Sequence, residues 1–350
     1  MRQPSLHQVL GVARPSHARE PGGRLPVYDF FAGAGGFSEG ARQAGCDVVW
    51  ACDNDPLALK THAANHPRAE HCLAELPMPR GEWPFPTDGR PFHVHFSPPC
   101  QKFSTTNTLH RTEGDRGGAA DLITWSVETA LASGATSWSL EEVASKHVAA
   151  LLEAVRKRHP TRVAYAAFDL AELGVPQTRK RLLAGPPALI SRLMRQRARG
   201  NTRSVRDVIA KPRGTHIRNG KSWVGSKQCV PGHGIWYHKA GWGDNCQPID
   251  RPAPTVLANR GYNWVTRTAT GYERSRLNVA EYSLLQTFPS SYRWPAGASA
   301  ALKLIGNAVP PLVAQLLLGG SALSRPASPS LTRTAPAVVW LPGETVRPVL

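Results

Sequence analysis

The chain has 350 residues, 41% of them hydrophobic, and carries 42 Lys and Arg against 25 Asp and Glu, for a net charge of +17. That apolar content can bury a large core, which excludes a disordered chain or a disulfide-stapled miniprotein. The unmatched positive charge points to a polyanionic partner, with a merely basic soluble protein as the plain alternative.

Residues 1–24 are rich in Pro, Arg and Gly and residues 324–350 in Pro, Ser and Thr, so both read as flexible ends of a folded unit spanning 25–323. From Leu25 short apolar runs alternate with helical periods: Val27–Phe31, Phe37–Ala44, Val48–Cys52 and Leu57–Asn65. The alternation continues through Phe92–Phe96, Ser137–Leu140 and Val163–Phe168, with a helix whose Val148, Leu151, Leu152 and Val155 share one face. This β-α-β order predicts an α/β fold, a doubly wound Rossmann-like domain on a parallel sheet over 25–185. Between Arg192 and Lys227 the only acid is Asp207, and glycines recur without periodicity, so 186–298 is expected to form a smaller loop-rich domain. Asn278–Phe288 and Ala308–Leu318 regain helical spacing, and a final helix within 299–323, with Pro310-Pro311 in its first turn, is expected to return to the sheet. Six cysteines without a Cys-x-x-Cys pair, no apolar leader and no run that reads as a membrane span predict a monomer without membrane contact, in a reducing bacterial cytoplasm or nucleoid.

Asp29-Phe30-Phe31-Ala32-Gly33-Ala34-Gly35-Gly36 joins the first strand to the first helix, where glycines let the backbone turn tightly against a nucleotide-like ligand. It is out of register with Gly-x-Gly-x-x-Gly, so a plain strand-to-helix turn stays open. Asp53, in Cys52-Asp53-Asn54-Asp55, ends the second strand where an acid can accept hydrogen bonds from ribose hydroxyls; Asp55 before Pro56 reads equally as a helix cap.

Cys100 follows an apolar strand and Pro98-Pro99, a turn with little freedom; a helix beginning after it would favour thiolate. Glu141 closes the strand Ser137–Leu140 and suits a partly protonated acid, whereas Glu142 reads as a carboxylate at a helix N-terminus. Gln177-Thr178-Arg179-Lys180-Arg181 spaces two guanidiniums by two residues, so in an extended segment both would face a developing oxyanion. A phosphate-binding basic run is the other reading.

Together with Gly306-Asn307-Ala308-Val309-Pro310, these segments resemble, in order, the motifs of the cytosine-5 DNA methyltransferase family of bacterial restriction-modification systems. The resemblance implies S-adenosyl-methionine bound by Phe31, Ala32, Gly33, Gly35, Gly36, Asp53, Asn54, Pro98, Asn307 and Ala308, and S-adenosyl-homocysteine as product. It implies Cys100 as nucleophile toward carbon 6 of a flipped-out cytosine, Glu141 at ring nitrogen 3, and Arg179 and Arg181 at the 2-carbonyl. Double-stranded DNA is the implied partner, and a cognate restriction endonuclease on the same site a further one. Lys102–Gly118, long and polar, is expected as a lid, and the basic segment to Asp250 as the target reader, organised by Arg251-Pro252-Ala253-Pro254-Thr255-Val256.

The chain departs from the family at three places. Glu142 replaces the usual Asn, His71-Cys72-Leu73 lacks the Asp that contacts adenine, and His93 and His95 stand in the strand before Cys100, where they read as packing variants. Cys229, His233, His238 and Cys246 match no zinc spacing, so no metal is expected. The rival readings are an RNA (tRNA) cytosine-5 methyltransferase, a catalytically inactive DNA-binding homologue and, on the glycine loop alone, a nicotinamide or flavin oxidoreductase.

Overall fold

A computed structural model describes residues 23–99, 113–197, 199–209, 215–216, 233–239, 243–259, 261–268 and 271–319; Cys100 and 101–112 lie outside them. Seven strands form the main sheet: β1 (Pro26–Phe30), β2 (Asp47–Asp53), β3 (Glu70–Leu73), β4 (His93–Phe96), β5 (Ser137–Val143), β6 (Ala164–Asp169) and β7 (Lys180–Gly185). Their order is β3-β2-β1-β4-β5-β7-β6. All pair in parallel except β7, which runs antiparallel to β5 and β6. The expected parallel sheet is thus a mixed one, because the link from Asp169 to Lys180 is too short for the crossover a parallel strand requires.

The helices are α1 (Gly36–Gln43), α2 (Pro56–Asn65), α3 (Glu113–Ala132), α4 (Lys146–Arg158), α5 (Pro187–Arg197), α6 (Val279–Leu285), α7 (Ala298–Asn307) and α8 (Pro311–Leu318). One sheet face is buried under α1, α5 and α8 through Val27, Phe37, Phe168, Leu183, Ile190 and Val313. The other is buried under α3 and α4 through Phe30, Phe96, Leu140, Val127 and Leu152. Residues 113–118 of the expected lid are therefore the first turns of α3. Helix α5, beyond the expected boundary at 185, packs with the first sheet.

The region expected to form a loop-rich domain holds a second, antiparallel sheet: β8 (Thr215–His216), β9 (His233–Lys239), β10 (Gly243–Pro248), β11 (Asn263–Thr268) and β12 (Gly271–Arg276), in the order β10-β9-β11-β12-β8. Strands such as Gly243-Asp244-Asn245-Cys246-Gln247-Pro248 carry no apolar alternation from which a strand could be read.

The run Ala298–Leu318 is long and apolar enough to cross a bilayer, contrary to expectation. It is two helices, broken at Ala308–Pro310 and mostly buried in the protein. Helix α8 lies directly on α1: a Cβ at Gly36 would stand 2.1 Å from the Val309 carbonyl oxygen, and one at Gly40 2.0 Å from that of Pro311. Only glycine permits this approach.

Candidate active site

The carboxyl ends of β1, β2 and β4 meet at the glycine loop. Phe31, which leaves β1, has φ 58°, a left-handed backbone rare for a bulky residue. The Ala32 N–H donates to the Cys52 carbonyl at 2.9 Å and the Gly33 N–H to Asp53 Oδ2 at 2.8 Å. Asp53 Oδ1 accepts from the Asp55 N–H at 2.8 Å, and burial raises this carboxyl above its ordinary value. Gly35 (φ 95°) then begins α1. Asp55 caps α2 by accepting from the Leu57 and Ala58 N–H groups, while Asn54 stands exposed at the same edge.

A buried polar chain supports the loop from below. Ser38 donates to Asp29 Oδ2 at 2.7 Å, its oxygen lies 2.9 Å from His62 Nε2, and His62 Nδ1 lies 2.8 Å from His71 Nε2. Burial pushes Asp29 up to about 7 and His62 well below its ordinary value, so the chain favours neutral groups. The Tyr292 hydroxyl donates to the Ala34 carbonyl. From the far end of the chain, Ala308 packs beside Gly36, with Asn307 exposed next to it.

Among the described residues a Cβ at Gly33 would meet nothing within 4 Å, so none of them closes that side of the loop, next to the Asp53 carboxylate. An open, glycine-lined backbone beside a strand-end acid fits the adenosine portion of a nucleoside cofactor. Cys72, in the stretch His71-Cys72-Leu73 that lacks the family's adenine-binding Asp, stands opposite Cys52 in the parallel register of β2 and β3.

Ser97-Pro98-Pro99 leaves β4 between the loop and β5. The Ser97 hydroxyl donates to the Phe31 carbonyl at 3.0 Å, and Pro98 is buried. Cys100, the next residue after Pro99, lies outside the described residues. On β5, Glu141 Oε1 pairs with Arg181 Nε at 2.7 Å, with both side chains nearly buried. Antiparallel register sets Arg181 opposite Val143, which puts it on the same sheet face as Glu141. His93 and His95 lie buried on that face, bonded to the Ser139 hydroxyl at 2.9 and 2.8 Å, and Phe37 stacks on His95 at 3.5 Å.

Glu142 does not serve a helix N-terminus. It is a strand residue on the opposite face, 1% exposed, and one of its oxygens accepts the Val143 N–H. Burial pushes it up to about 8. A carboxyl that is protonated when folded but ionised when unfolded makes the folded state the tighter proton binder, so stability falls as pH rises from about 4.5 to about 8. Glu142→Gln removes this loss. Between about pH 6 and about pH 8 the wild type should lose about 2 kcal/mol more unfolding free energy than the variant, measured by urea denaturation. Asp29 titrates in both proteins and cancels in the difference.

Arg179 and Arg181 do not share a target. Arg179 is 3% exposed and donates to the carbonyls of Val256, Gly306 and Ala308 at 3.2, 3.2 and 3.3 Å. Gln177 works beside it: its Oε1 accepts the Val256 N–H and its Nε2 donates to the Leu285 carbonyl and to Gln286. Gln286 in turn donates to the carbonyls of Ile305 and Ala308. Sequence reasoning missed Gln286, Tyr292 and Ser97 as site residues, because isolated polar residues carry no period. Among the described residues no group of three or more His, Cys, Asp or Glu could hold a metal.

Residues 25–143 and 191–320 match the family described as C-5 cytosine-specific DNA methylase. The chain belongs to that family. This C-5 cytosine methylase is 27% identical over 308 residues to Type II methyltransferase M.HgiDI of Herpetosiphon aurantiacus, covering 82% of this chain and 90% of that protein. It is 26% identical over 302 residues to Type II methyltransferase M.HindV of Haemophilus influenzae, covering 82% and 92%. Its fold is that of a putative DNA modification methyltransferase encoded within an Escherichia coli prophage (TM-score 0.58, 18% identity, 84% of this chain and 97% of that one). It is also that of S. pombe Dnmt2 methyltransferase (TM-score 0.55, 16% identity, 86% and 98%). The methylase is accordingly a DNA cytosine methyltransferase, of a family that uses S-adenosyl-methionine. Residues 144–190, between the two matched stretches, include Arg179 and Arg181, whose roles rest on geometry.

Proposed function

We propose that this methylase methylates carbon 5 of a cytosine rotated out of a specific duplex DNA sequence, through a transient bond between Cys100 and carbon 6. The observation that carries the reading is the Glu141–Arg181 pair on β5 and β7, at the end of the sheet where the Ser97–Pro99 turn leaves the neighbouring β4. When bound, S-adenosyl-methionine supplies an electrophilic methyl group; Phe31, Ala32, Gly33, Gly35, Gly36, Asp53, Asn54, Pro98, Asn307 and Ala308 would hold it.

Carbon 5 of cytosine is a poor nucleophile. Addition of the Cys100 thiolate to carbon 6 turns the ring into an enamine, nucleophilic at carbon 5. Glu141 holds a proton at ring nitrogen 3, and Arg181 fixes the Glu141 carboxyl and stabilises charge at the 2-carbonyl. After methylation, loss of the carbon 5 proton and expulsion of the thiolate restore the aromatic ring. Arg179 acts as a positioning residue through the Gly306–Ala308 backbone. The unit from the end of α5 to 298, with the second sheet and the basic run, reads the DNA and holds its phosphates. A cognate endonuclease would accompany it, as the Type II names of its relatives suggest, in a bacterial cytoplasm.

Methyl transfer from labelled S-adenosyl-methionine tests the reading. Label should enter duplex DNA as 5-methylcytosine at one sequence context and leave tRNA unlabelled; the opposite distribution would overturn it.

A further inference from the structure

Cys52 and Cys72 take no part in the proposed reaction, yet they face each other beside the glycine loop. β3 is the edge strand of the first sheet, and its parallel register with β2 sets Cys72 opposite Cys52. Opposed residues of parallel strands project from one sheet face, and both cysteines pack in the apolar cluster under α3 and α4. Both are free thiols. The buried Cys52 thiol is aimed toward β3, its Sγ 3.9 Å from the carbonyl oxygen of Ala74, two residues past Cys72. Cys72 is half-buried, so it is the thiol of the pair that solvent reaches. The neighbouring Cys52 holds the Cys72 thiol below its ordinary value, against burial and the carboxylates of Glu70 and Glu82, while Cys52 is itself pushed up. The Cys52 backbone also fixes the loop. Its carbonyl accepts the Ala32 N–H at 2.9 Å, and the next residue, Asp53, accepts the Gly33 N–H on Oδ2 and the Ala74 N–H, at 3.2 Å, on its carbonyl.

We propose that Cys52 and Cys72 are a redox modification site, closed by a peroxide into a reversible disulfide that weakens ligand binding at the glycine loop. Adjacent strands set opposed Cα atoms about 4.8 Å apart, within the span of a disulfide. The Cβ atoms must close to about 3.8 Å, so the bond draws the ends of β2 and β3 together. The more exposed Cys72, as thiolate, attacks one oxygen of hydrogen peroxide. The O–O bond breaks, hydroxide leaves and takes up a proton as water, and Cys72 becomes a sulfenic acid. The Cys52 sulfur then attacks the Cys72 sulfur. The S–S bond forms, the S–O bond breaks, and the Cys52 proton leaves with the hydroxyl as a second water. The two thiols lose two electrons and two protons, which the peroxide gains; a dithiol reductant reverses the change. The displacement falls on the Cys52 carbonyl and on Asp53, the groups that fix Ala32 and Gly33. The effect on binding rests on the reading of this loop as the S-adenosyl-methionine site, whereas formation of the bond does not.

The test treats the full chain with a modest excess of hydrogen peroxide, blocks remaining thiols with N-ethylmaleimide and reads tryptic peptides by tandem mass spectrometry. Lys60 and Arg68 lie between the two cysteines, so the bond should appear as two joined peptides, with fragment ions placing it on Cys52 rather than Cys46. Dithiothreitol should release them. Calorimetry should find S-adenosyl-homocysteine bound about five-fold or more weakly by the bridged protein, with full recovery on reduction. Cys72→Ser and Cys72→Ala should bind like the reduced wild type and keep that affinity through the same peroxide treatment, which their other cysteines also meet. No Cys52–Cys72 peptide, an unchanged affinity in the bridged protein, or an equal loss in both Cys72 variants overturns the proposal while the cofactor reading stands. Failure of S-adenosyl-homocysteine to bind the reduced wild type overturns the cofactor reading and the effect on binding, and the joined peptides then decide the bond alone.

Discussion

Cys100→Ser should lower methyl transfer by about 10⁴-fold or more while leaving the affinity for S-adenosyl-homocysteine near that of the wild type. A serine hydroxyl is scarcely ionised near neutral pH, so it is a poor replacement for a thiolate in the addition. Without addition at carbon 6 the ring never becomes an enamine, so the remaining groups have no charge to stabilise. A second readout isolates the covalent step. With target DNA containing 5-fluorocytosine, fluorine replaces the carbon 5 proton that must leave, elimination stalls, and the wild type should remain bonded to DNA on a denaturing gel. Cys100→Ser should give no such band. A trapped complex with Cys100→Ser, or none with an active wild type, would remove Cys100 from its assigned role.

Arg179→Ala should cost about 3–5 kcal/mol of stability, with activity lost at temperatures where the wild type is folded. The guanidinium serves three carbonyls, at Val256, Gly306 and Ala308, from a position 3% exposed. Alanine leaves a cavity and strips buried acceptors of a charged donor, although the Ala308 carbonyl keeps the Gln286 amide. Arg179→Lys, with one point charge on a flexible stem, should recover only part of the loss, because three separated acceptors suit a planar fork. Denaturant unfolding of both variants checks this. A loss for Arg179→Ala below about 1 kcal/mol would mean that these hydrogen bonds do not hold the junction.

Much of the first sheet was legible because its elements are periodic. Val27–Phe31 and Val48–Cys52 are apolar runs bounded by turn residues, and α2 is announced by Asp55-Pro56, the cap and first residue that a helix favours. The second sheet was illegible for the opposite reason: β10 and β12 are mostly polar strands, and the hydrogen bonds that define them are made by backbone, which leaves no mark on side-chain pattern. In the site, spacing suggested a common face for Arg179 and Arg181, but Arg179 precedes the first residue of β7, so strand alternation does not govern it. Glu142 was misread because a strand ending at Val143, rather than Leu140, buries it. Local sequence offers no rule for that difference; the pairing with β7 sets it.

The contact between α1 and α8 bears on how the enzyme comes into being. Gly36 and Gly40, in the first helix, receive the backbone of Val309 and Pro311, made about 270 residues later. Until the ribosome has delivered that stretch, the first helix lacks the backbone it packs against. Long-range closure of this kind slows folding. During each round of translation, competence to hold a methyl donor should therefore appear only after the second sheet has emerged, so that unfinished chains remain chemically silent.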